Sequence, residues 1–124
     1  MNDGMNLEQL QTYLLAKKGT TEERPFGPQA LVYKVVGKMF ALIAWELDPV
    51  DISLKCDPDE ALFLRDIYTA VRPGYHMNKR HWNTVAIDGS IPPTELLRMI
   101  DDSYNLVVKG LTKAQRQALL IDQD

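Results

Sequence analysis

The chain of 124 residues contains only one cysteine and two histidines. A lone cysteine excludes an internal disulfide, as is usual in a reducing compartment, so we expect a cytoplasmic protein. The first residues have neither the basic nor the apolar region of a secretory signal, and no apolar run approaches the ~18–20 residues of a membrane-spanning helix. Two imidazoles and one thiol cannot close a four-ligand zinc site, so we predict neither a metal nor another cofactor.

Sequence patterns that identify catalytic sites are also lacking. Gly27, Gly37 and Gly74 stand singly rather than in a glycine-rich phosphate loop, and no serine lies in a nucleophile elbow. Cys56 adjoins Lys55 and precedes a predicted helix, and both neighbours would lower the pKa of its thiol. Because cysteine is among the most buried residue types, a structural role is nevertheless favoured. We therefore expect a protein that is not an enzyme.

Acidic residues are absent from two stretches, 24–45 and 67–87, within a chain of net charge −3. The cations of these stretches are Arg24, Lys34, Lys38, Arg72, Lys79 and Arg80. A positive surface attracts anions even on a protein of acidic total charge, because the local potential governs encounter. Strands also avoid aspartate and glutamate for structural reasons, so two ordinary β-regions would show the same pattern.

Hydrophobic periodicity predicts one domain over residues 1–124, in the α+β class. It predicts strands over 20–26, 31–36, 39–45, 52–56 and 82–87, and helices after Asn6, from Asp57 to Pro73, between Pro93 and Leu111, and over 113–121. The buried stripe of the second helix would comprise Ala61, Leu64, Ile67, Tyr68 and Val71. Short connections imply antiparallel pairing, so we expect helices packed on one side of a twisted antiparallel sheet.

The segment 72–83 combines three cations, both histidines, a tyrosine and a tryptophan. Cations beside aromatic and amide groups suit a surface that meets phosphate and stacks on planar groups. The same side chains could instead hold one irregular hairpin together. Tyr75 and Trp82 are expected beside the functional surface, whereas Trp45, in a clean alternating strand, is expected in the core.

Several motifs follow one another along the chain: Phe26-Gly27-Pro28, Leu31 to Ala41, Ile52 to Pro58, Pro73 to Thr84, Asp88 to Pro92 and Ser103-Tyr104. Together they resemble the MmcQ/YjbR family over roughly residues 7–110. The resemblance implies a fold similar to bacterial frataxin, the CyaY-like sandwich of helices on an antiparallel sheet. It also implies DNA binding through two projecting β-structures called a double wing. The iron binding of frataxin is not implied, because it relies on an acidic first helix and this helix offers only Glu8.

The leading hypothesis is a non-catalytic protein that binds DNA or another nucleic acid through two basic hairpins. The resemblance assigns Lys34 and Lys38 to the first β-structure, and the two acid-free stretches coincide with the two structures. To the second β-structure it assigns His76, Asn78, Lys79, Arg80, His81 and Asn83. The full candidate site comprises Lys34, Lys38, Arg72, Tyr75, His76, Asn78, Lys79, Arg80, His81, Trp82 and Asn83. Binding through so few phosphate contacts would be weak and sensitive to salt.

Two alternatives stay open on the same scaffold. A face of the sheet could bind a protein or peptide, or a small anion could enter a pocket formed by Tyr75, His76, Lys79, Arg80 and His81. The shape of the surface distinguishes these functions. A convex positive ridge favours nucleic acid, a closed polar pocket favours a small ligand, and an apolar groove favours a peptide. No membrane partner is expected.

Overall fold

The computed structural model describes residues 5–74 and 77–121, in which helices pack against a six-stranded antiparallel sheet. The strands are β1 (Thr20–Glu23), β2 (Ala30–Val35), β3 (Lys38–Ala44), β4 (Asp51–Lys55), β5 (Val71–Pro73) and β6 (Trp82–Ala86). The helices are α1 (Leu7–Leu15), α2 (Pro58–Ile67), α3 (Pro93–Lys109) and α4 (Lys113–Ile121). The strands lie in the order β1-β2-β3-β4-β6-β5 and every neighbouring pair is antiparallel, which confirms the predicted α+β class.

The helices begin where the sequence supplies caps. The Asn6 side chain accepts from the Gln9 N–H, and the Gln9 side chain accepts in return from the Asn6 N–H. Asp57 caps α2 through the Asp59 N–H, and a proline occupies the first turn, where its missing N–H removes no helical hydrogen bond. Such caps satisfy N–H groups that have no partner within the helix.

Within the described ranges, every helix is too short or too polar to span a membrane.

One face of the sheet forms the core together with the helices. The sheet contributes Leu31, Tyr33, Val35, Ile43, Ile52 and Val85, and the helices contribute Leu10, Leu14, Leu64, Met99 and Ile100. These sheet residues alternate along their strands, so their side chains point to the same side. Burial of each such side chain stabilises the fold by roughly 1.5–3 kcal/mol, so this single face supplies most of the stability.

Ser103 joins α3 to the sheet at an irregular point. The register of β2 and β3 shifts after Tyr33, which leaves Phe40 without a partner in β2. The Ser103 hydroxyl donates to the Phe40 carbonyl oxygen at 2.5 Å and accepts from the Lys55 N–H at 2.8 Å. A buried backbone group without a partner costs roughly 1–3 kcal/mol, so one side chain removes that cost at two positions.

The chain departs from the predicted elements between residues 67 and 73. Helix α2 ends at Ile67, because Tyr68 has an extended backbone with φ −124° and ψ 119°. Val71, expected on the buried stripe of the helix, instead pairs with Val85 in the sheet. Ile67, expected on the same stripe, is 48% exposed. Helical spacing thus correctly predicts that Val71 is buried, but it assigns the residue to a helix instead of a strand. The reason is that periodicity does not locate the end of a helix.

Two predicted strands also end earlier than expected. Strand β1 ends at Glu23, so Phe26 lies in the connection to β2, and β3 ends at Ala44, so Trp45 lies outside it. The Trp45 ring is half-buried against the core, and its Nε1 donates to the Pro28 carbonyl oxygen at 2.7 Å. The indole therefore holds together the two connections that flank β2 and β3.

Candidate binding groove on the open face of the sheet

The sheet face that points away from the core carries a mixed row of side chains. The strand registers align Val32, Leu42, Ser53, Thr84 and Arg72 from β2 across to β5. Strand alternation places this row opposite the core residues. We call this side of the sheet the open face.

Small side chains hollow out the open face. Ala30, Ala44 and Asp51 form the next row across β2, β3 and β4. Alanine is unusual in strands, which favour β-branched and aromatic residues, and here it lowers the floor. The result is a groove of about 650 Å³, a volume typical of ligand sites. This open-face groove is lined by Phe26, Gln29, Ala30, Met39, Leu42, Ala44, Glu46, Leu47, Asp51, Ser53, Met77 and Thr84.

The polar groups on the floor bond to protein atoms. Ser53 Oγ and Thr84 Oγ1 lie 2.9 Å apart, and Arg72 forms an ion pair with Asp51. Ser53, Thr84 and Asp51 are all buried, and buried polar groups with partners are the rule in stable proteins. Apolar surface is consequently the main contact that the groove presents to a ligand.

Large apolar side chains stand at the edge of the groove. Phe26, between β1 and β2, is 67% exposed, and Leu47, between β3 and β4, is 51% exposed. Met39 and Met77 complete this apolar lining. Exposed apolar side chains that cluster mark interaction surfaces, and methionine adapts its shape to a partner. The groove therefore suits a ligand with apolar groups.

Arg65 of α2 fixes the segment that borders the groove between β5 and β6. Its Nε donates to Asn83 Oδ1 at 2.7 Å. Its Nη2 donates to the carbonyl oxygen of Lys79 and, at 3.3 Å, to that of Trp82. Hydrogen bonds from a charged guanidinium are stronger than neutral ones, so these three contacts tie the loop to the helix.

Backbone hydrogen bonds also hold the segment between β5 and β6 in place. The Gly74 N–H donates to the Trp82 carbonyl oxygen at 2.9 Å, and the Cys56 N–H donates to that of His81 at 2.7 Å. A Cβ atom at Gly74 would lie 2.7 Å from the Trp82 Cβ, so only glycine permits this close approach. Met77 reaches the groove from a loop that is anchored in this way.

Three cations of the predicted nucleic-acid site are bound within the protein. Arg72 pairs with Asp51, and Lys34 Nζ lies 3.1 Å from a carboxylate oxygen of Glu23. The hydrogen bond from Lys34 is the main cause that lowers the pKa of Glu23. Lys79 Nζ donates to a backbone carbonyl of its own loop at 3.1 Å. These contacts leave less positive charge for an external phosphate.

Asn83 also has a role different from the predicted one. It is 3% exposed, accepts from Arg65 and donates to the Ala61 carbonyl oxygen at 3.3 Å. A buried amide whose groups are bonded does not meet a ligand from solvent. The structure therefore revises Asn83 from a ligand contact to a structural residue.

The remaining described residues of that site lie at the start of β3, between β5 and β6, or at the start of β6. Lys38, Asn78 and Arg80 are exposed, and His81 and Trp82 are partly buried. The Asn78 side chain accepts from the Arg80 N–H at 2.9 Å and thereby shapes the loop. Two further residues of the hypothesis lie outside the described part of the chain: Tyr75 and His76.

Cys56 lies on the helix side of the sheet, apart from the groove. It borders a polar depression of about 410 Å³ that is also lined by Glu60, Arg98 and Asp102. Burial first, and then the negative charges of Glu60 and Asp102, raise the pKa of the thiol to about 11. The prediction that Lys55 and the helix start would lower this pKa is wrong, because desolvation and the carboxylates outweigh them.

Sequence reasoning missed Arg65 and the small residues of the groove floor. Arg65 contacts residues 14, 17 and 18 positions along the chain, which no local pattern reveals. Ala30 lies just outside the predicted strand 31–36, and Ala44 lies within the predicted strand 39–45. Their role depends on the strand register that sets Ala30 of β2 opposite Ala44 of β3, which the sequence does not show.

A model of the family described as YjbR matches residues 15–106. The chain belongs to the YjbR family. It is 34% identical over 116 residues to the Escherichia coli protein YjbR, which covers 94% of this chain and 98% of that protein. It is 46% identical over 94 residues to YbdF from Escherichia coli O157:H7, which covers 75% and 76% of the two chains. Both relatives are described as uncharacterized proteins.

Solved structures share the fold of this YjbR-family protein. The crystal structure of the Deinococcus radiodurans protein DR2400, with a domain described as DUF419, matches with a TM-score of 0.88 and 37% identity. The match covers 94% of this chain and 89% of that one. A crystal structure from Pseudomonas syringae matches with a TM-score of 0.72 and 30% identity over 82% of this chain and 98% of that one. The family read from the motifs is confirmed.

The substitution Arg65→Ala should loosen the loop that borders the groove. It removes the donors to buried Asn83 and to the loop carbonyls, so we expect a loss of about 1–3 kcal/mol in the free energy of unfolding. Amide hydrogen exchange at Gly74 and His81 should become faster. Arg116→Ala is the matched control, because Arg116 also donates to backbone carbonyls but lies on α4. Equal exchange at Gly74 and His81 in both variants would contradict the proposed anchoring.

Proposed function

We propose that this YjbR-family protein is a non-catalytic binding protein that takes a short apolar segment of a partner protein into the open-face groove. The observation that carries the proposal is the apolar lining of a groove of about 650 Å³. Burial of apolar surface contributes roughly 25 cal/mol per Å², so such a lining favours apolar groups over phosphates. Of the surface shapes that distinguish the candidate functions, an apolar groove is the one that favours a peptide.

The polar groups of the groove support binding rather than catalysis. A catalytic site needs a nucleophile or acid–base pair aimed at a substrate. Here Asp51 forms an ion pair with Arg72, and the hydroxyl groups of Ser53 and Thr84 hydrogen-bond to each other. The described residues that line the groove include neither histidine nor cysteine.

The edge of the groove favours a protein partner over an enclosed small molecule. Small-molecule sites surround their ligands. Beside this groove, by contrast, the Phe26 residue is 67% exposed and Leu47 is 51% exposed. Protein interfaces concentrate binding energy in a few apolar and aromatic anchors of this kind. Phe26 and Leu47 would close on the side chain of a partner segment.

The substitution Ala44→Phe should block the groove, because it places a large ring on the floor between Ala30 and Asp51. A fluorescein-labelled, leucine-rich peptide with glutamine and serine at its other positions should bind the unmodified protein, as measured by fluorescence anisotropy. Ala44→Phe should bind it about thirtyfold more weakly, since loss of an anchor contact costs about 2 kcal/mol. Ala114→Phe, at an exposed position of α4, is the matched control and should bind as the unmodified protein does. Equal binding by the two variants, both folded, would contradict the proposal.

Nucleic-acid binding is a second candidate, which two exposed cations favour. Lys38 lies at the β2–β3 turn and Arg80 in the β5–β6 loop. Among the described residues, neither forms an ion pair. Exposed cations without carboxylate partners are suited to phosphate contacts. This function would use cations that do not line the groove and leave the apolar floor of the groove unexplained.

Duplex DNA, single strands and RNA should be titrated at two salt concentrations against the unmodified protein. If Lys38 and Arg80 bind phosphates, affinity should fall with salt with a log–log slope on the order of −2. The double substitution Lys38→Glu with Arg80→Glu should remove most of the binding, whereas Lys109→Glu with Lys113→Glu on the helices should not. Absence of binding even at ~50 mM salt would exclude this candidate.

A further inference from the structure

Two cations lie at one end of the open face. Lys55 follows the groove residue Ser53 by two positions on β4, so strand alternation places it on the same face about 7 Å away. Trp82 is its direct neighbour across β4 and β6. Lys34 occupies the open face on β2, opposite Met39. A ligand in the groove would meet positive charge on this side.

Acidic side chains lie at the other end. Asp51 precedes Ser53 by two positions, and Glu46 lines the groove just beyond β3. The ion pair with Arg72 compensates the charge of Asp51, whereas Glu46 is exposed. The groove thus has opposite charges at its two ends, with apolar surface between them.

The two cations differ in their internal partners. Lys34 forms an ion pair with Glu23 of the edge strand. Within the described ranges no ion pair involves Lys55, although its side chain is partly buried beside Trp82. Of the two cations, Lys55 is therefore the one whose charge is available to an anion supplied by a ligand.

We propose that the open-face groove selects partner segments that carry a carboxylate beside their apolar side chains, and that Lys55 receives this carboxylate. The inference rests on the proposed function, because it assumes that an apolar segment occupies the groove. Charge complementarity identifies the occupant as an acidic, apolar segment of another protein. A segment that carries a cation in the position of this carboxylate would place it against Lys55, and like charges across an interface reduce affinity.

Three labelled peptides test the inference. They share one leucine-rich core and differ only in two flanking residues at one end, which are both glutamate, both glutamine or both lysine. The glutamate peptide should bind the unmodified protein about fivefold more tightly than the glutamine peptide, as expected for a partly exposed ion pair. The lysine peptide should bind more weakly than either, and added salt should reduce the differences.

Variants of Lys55 assign the preference to one residue. Lys55→Gln should bind all three peptides alike, and Lys55→Arg should keep the preference for glutamate, since it keeps the charge. Lys113→Gln, an exposed lysine of α4, is the matched control and should behave as the unmodified protein does. Thermal unfolding midpoints of all variants verify that each is folded.

The possible failures are distinguishable. If the glutamine peptide binds and Ala44→Phe weakens it, but charge and Lys55→Gln have no effect, the inference about Lys55 is overturned and the proposed function stands. If no peptide binds, or Ala44→Phe binds every peptide as the unmodified protein does, the proposed function fails and the inference fails with it. A preference for glutamate that survives Lys55→Gln would assign the charge recognition to another cation.

Discussion

The guanidinium of Arg65 connects the parts of the structure on which the groove depends. Its helix, α2, is fixed in the core through Ala61 and Leu64. From there Arg65 donates to Asn83 in the sheet and to backbone carbonyls of the loop between β5 and β6. The described part of this loop thus takes its position from the core, and Met77 lines the groove from it.

The fold could be predicted because its signals are local. Alternation identified the strands, and side chains such as Asn6 and Asp57 marked the helix starts through bonds to residues two or three positions away. The end of α2 could not be predicted, because Val71 satisfies the spacing of a helix and the alternation of a strand equally well. Its pairing with Val85, fourteen residues further on, decides between them.

The groove could not be read from the sequence because it results from register and burial. The sequence identifies the cation-rich segment, and Met77 of that segment lines the groove. Lys34, however, pairs with Glu23 on the adjacent strand, and Arg72 pairs with Asp51 across the intervening strand β6. Such pairs are invisible until strands are aligned. The floor of the groove is low because two small side chains, Ala30 and Ala44, lie opposite each other on adjacent strands. An alanine methyl group has no functional group that would mark it as part of a binding site. Composition therefore suggested an anion surface where the geometry provides an apolar groove with charged ends.

Methionine methyl groups offer the most direct measurement of whether the groove binds apolar segments. Met39 and Met77 line the groove, whereas Met99 of α3 is buried in the core. The protein, labelled with ¹³C at its methionine methyls, would be titrated with an unlabelled leucine-rich peptide and followed by NMR. Groove binding predicts that the Met39 and Met77 signals shift along one saturation curve while Met99 stays in place. Unchanged Met39 and Met77 signals at peptide concentrations that saturate binding elsewhere would contradict it.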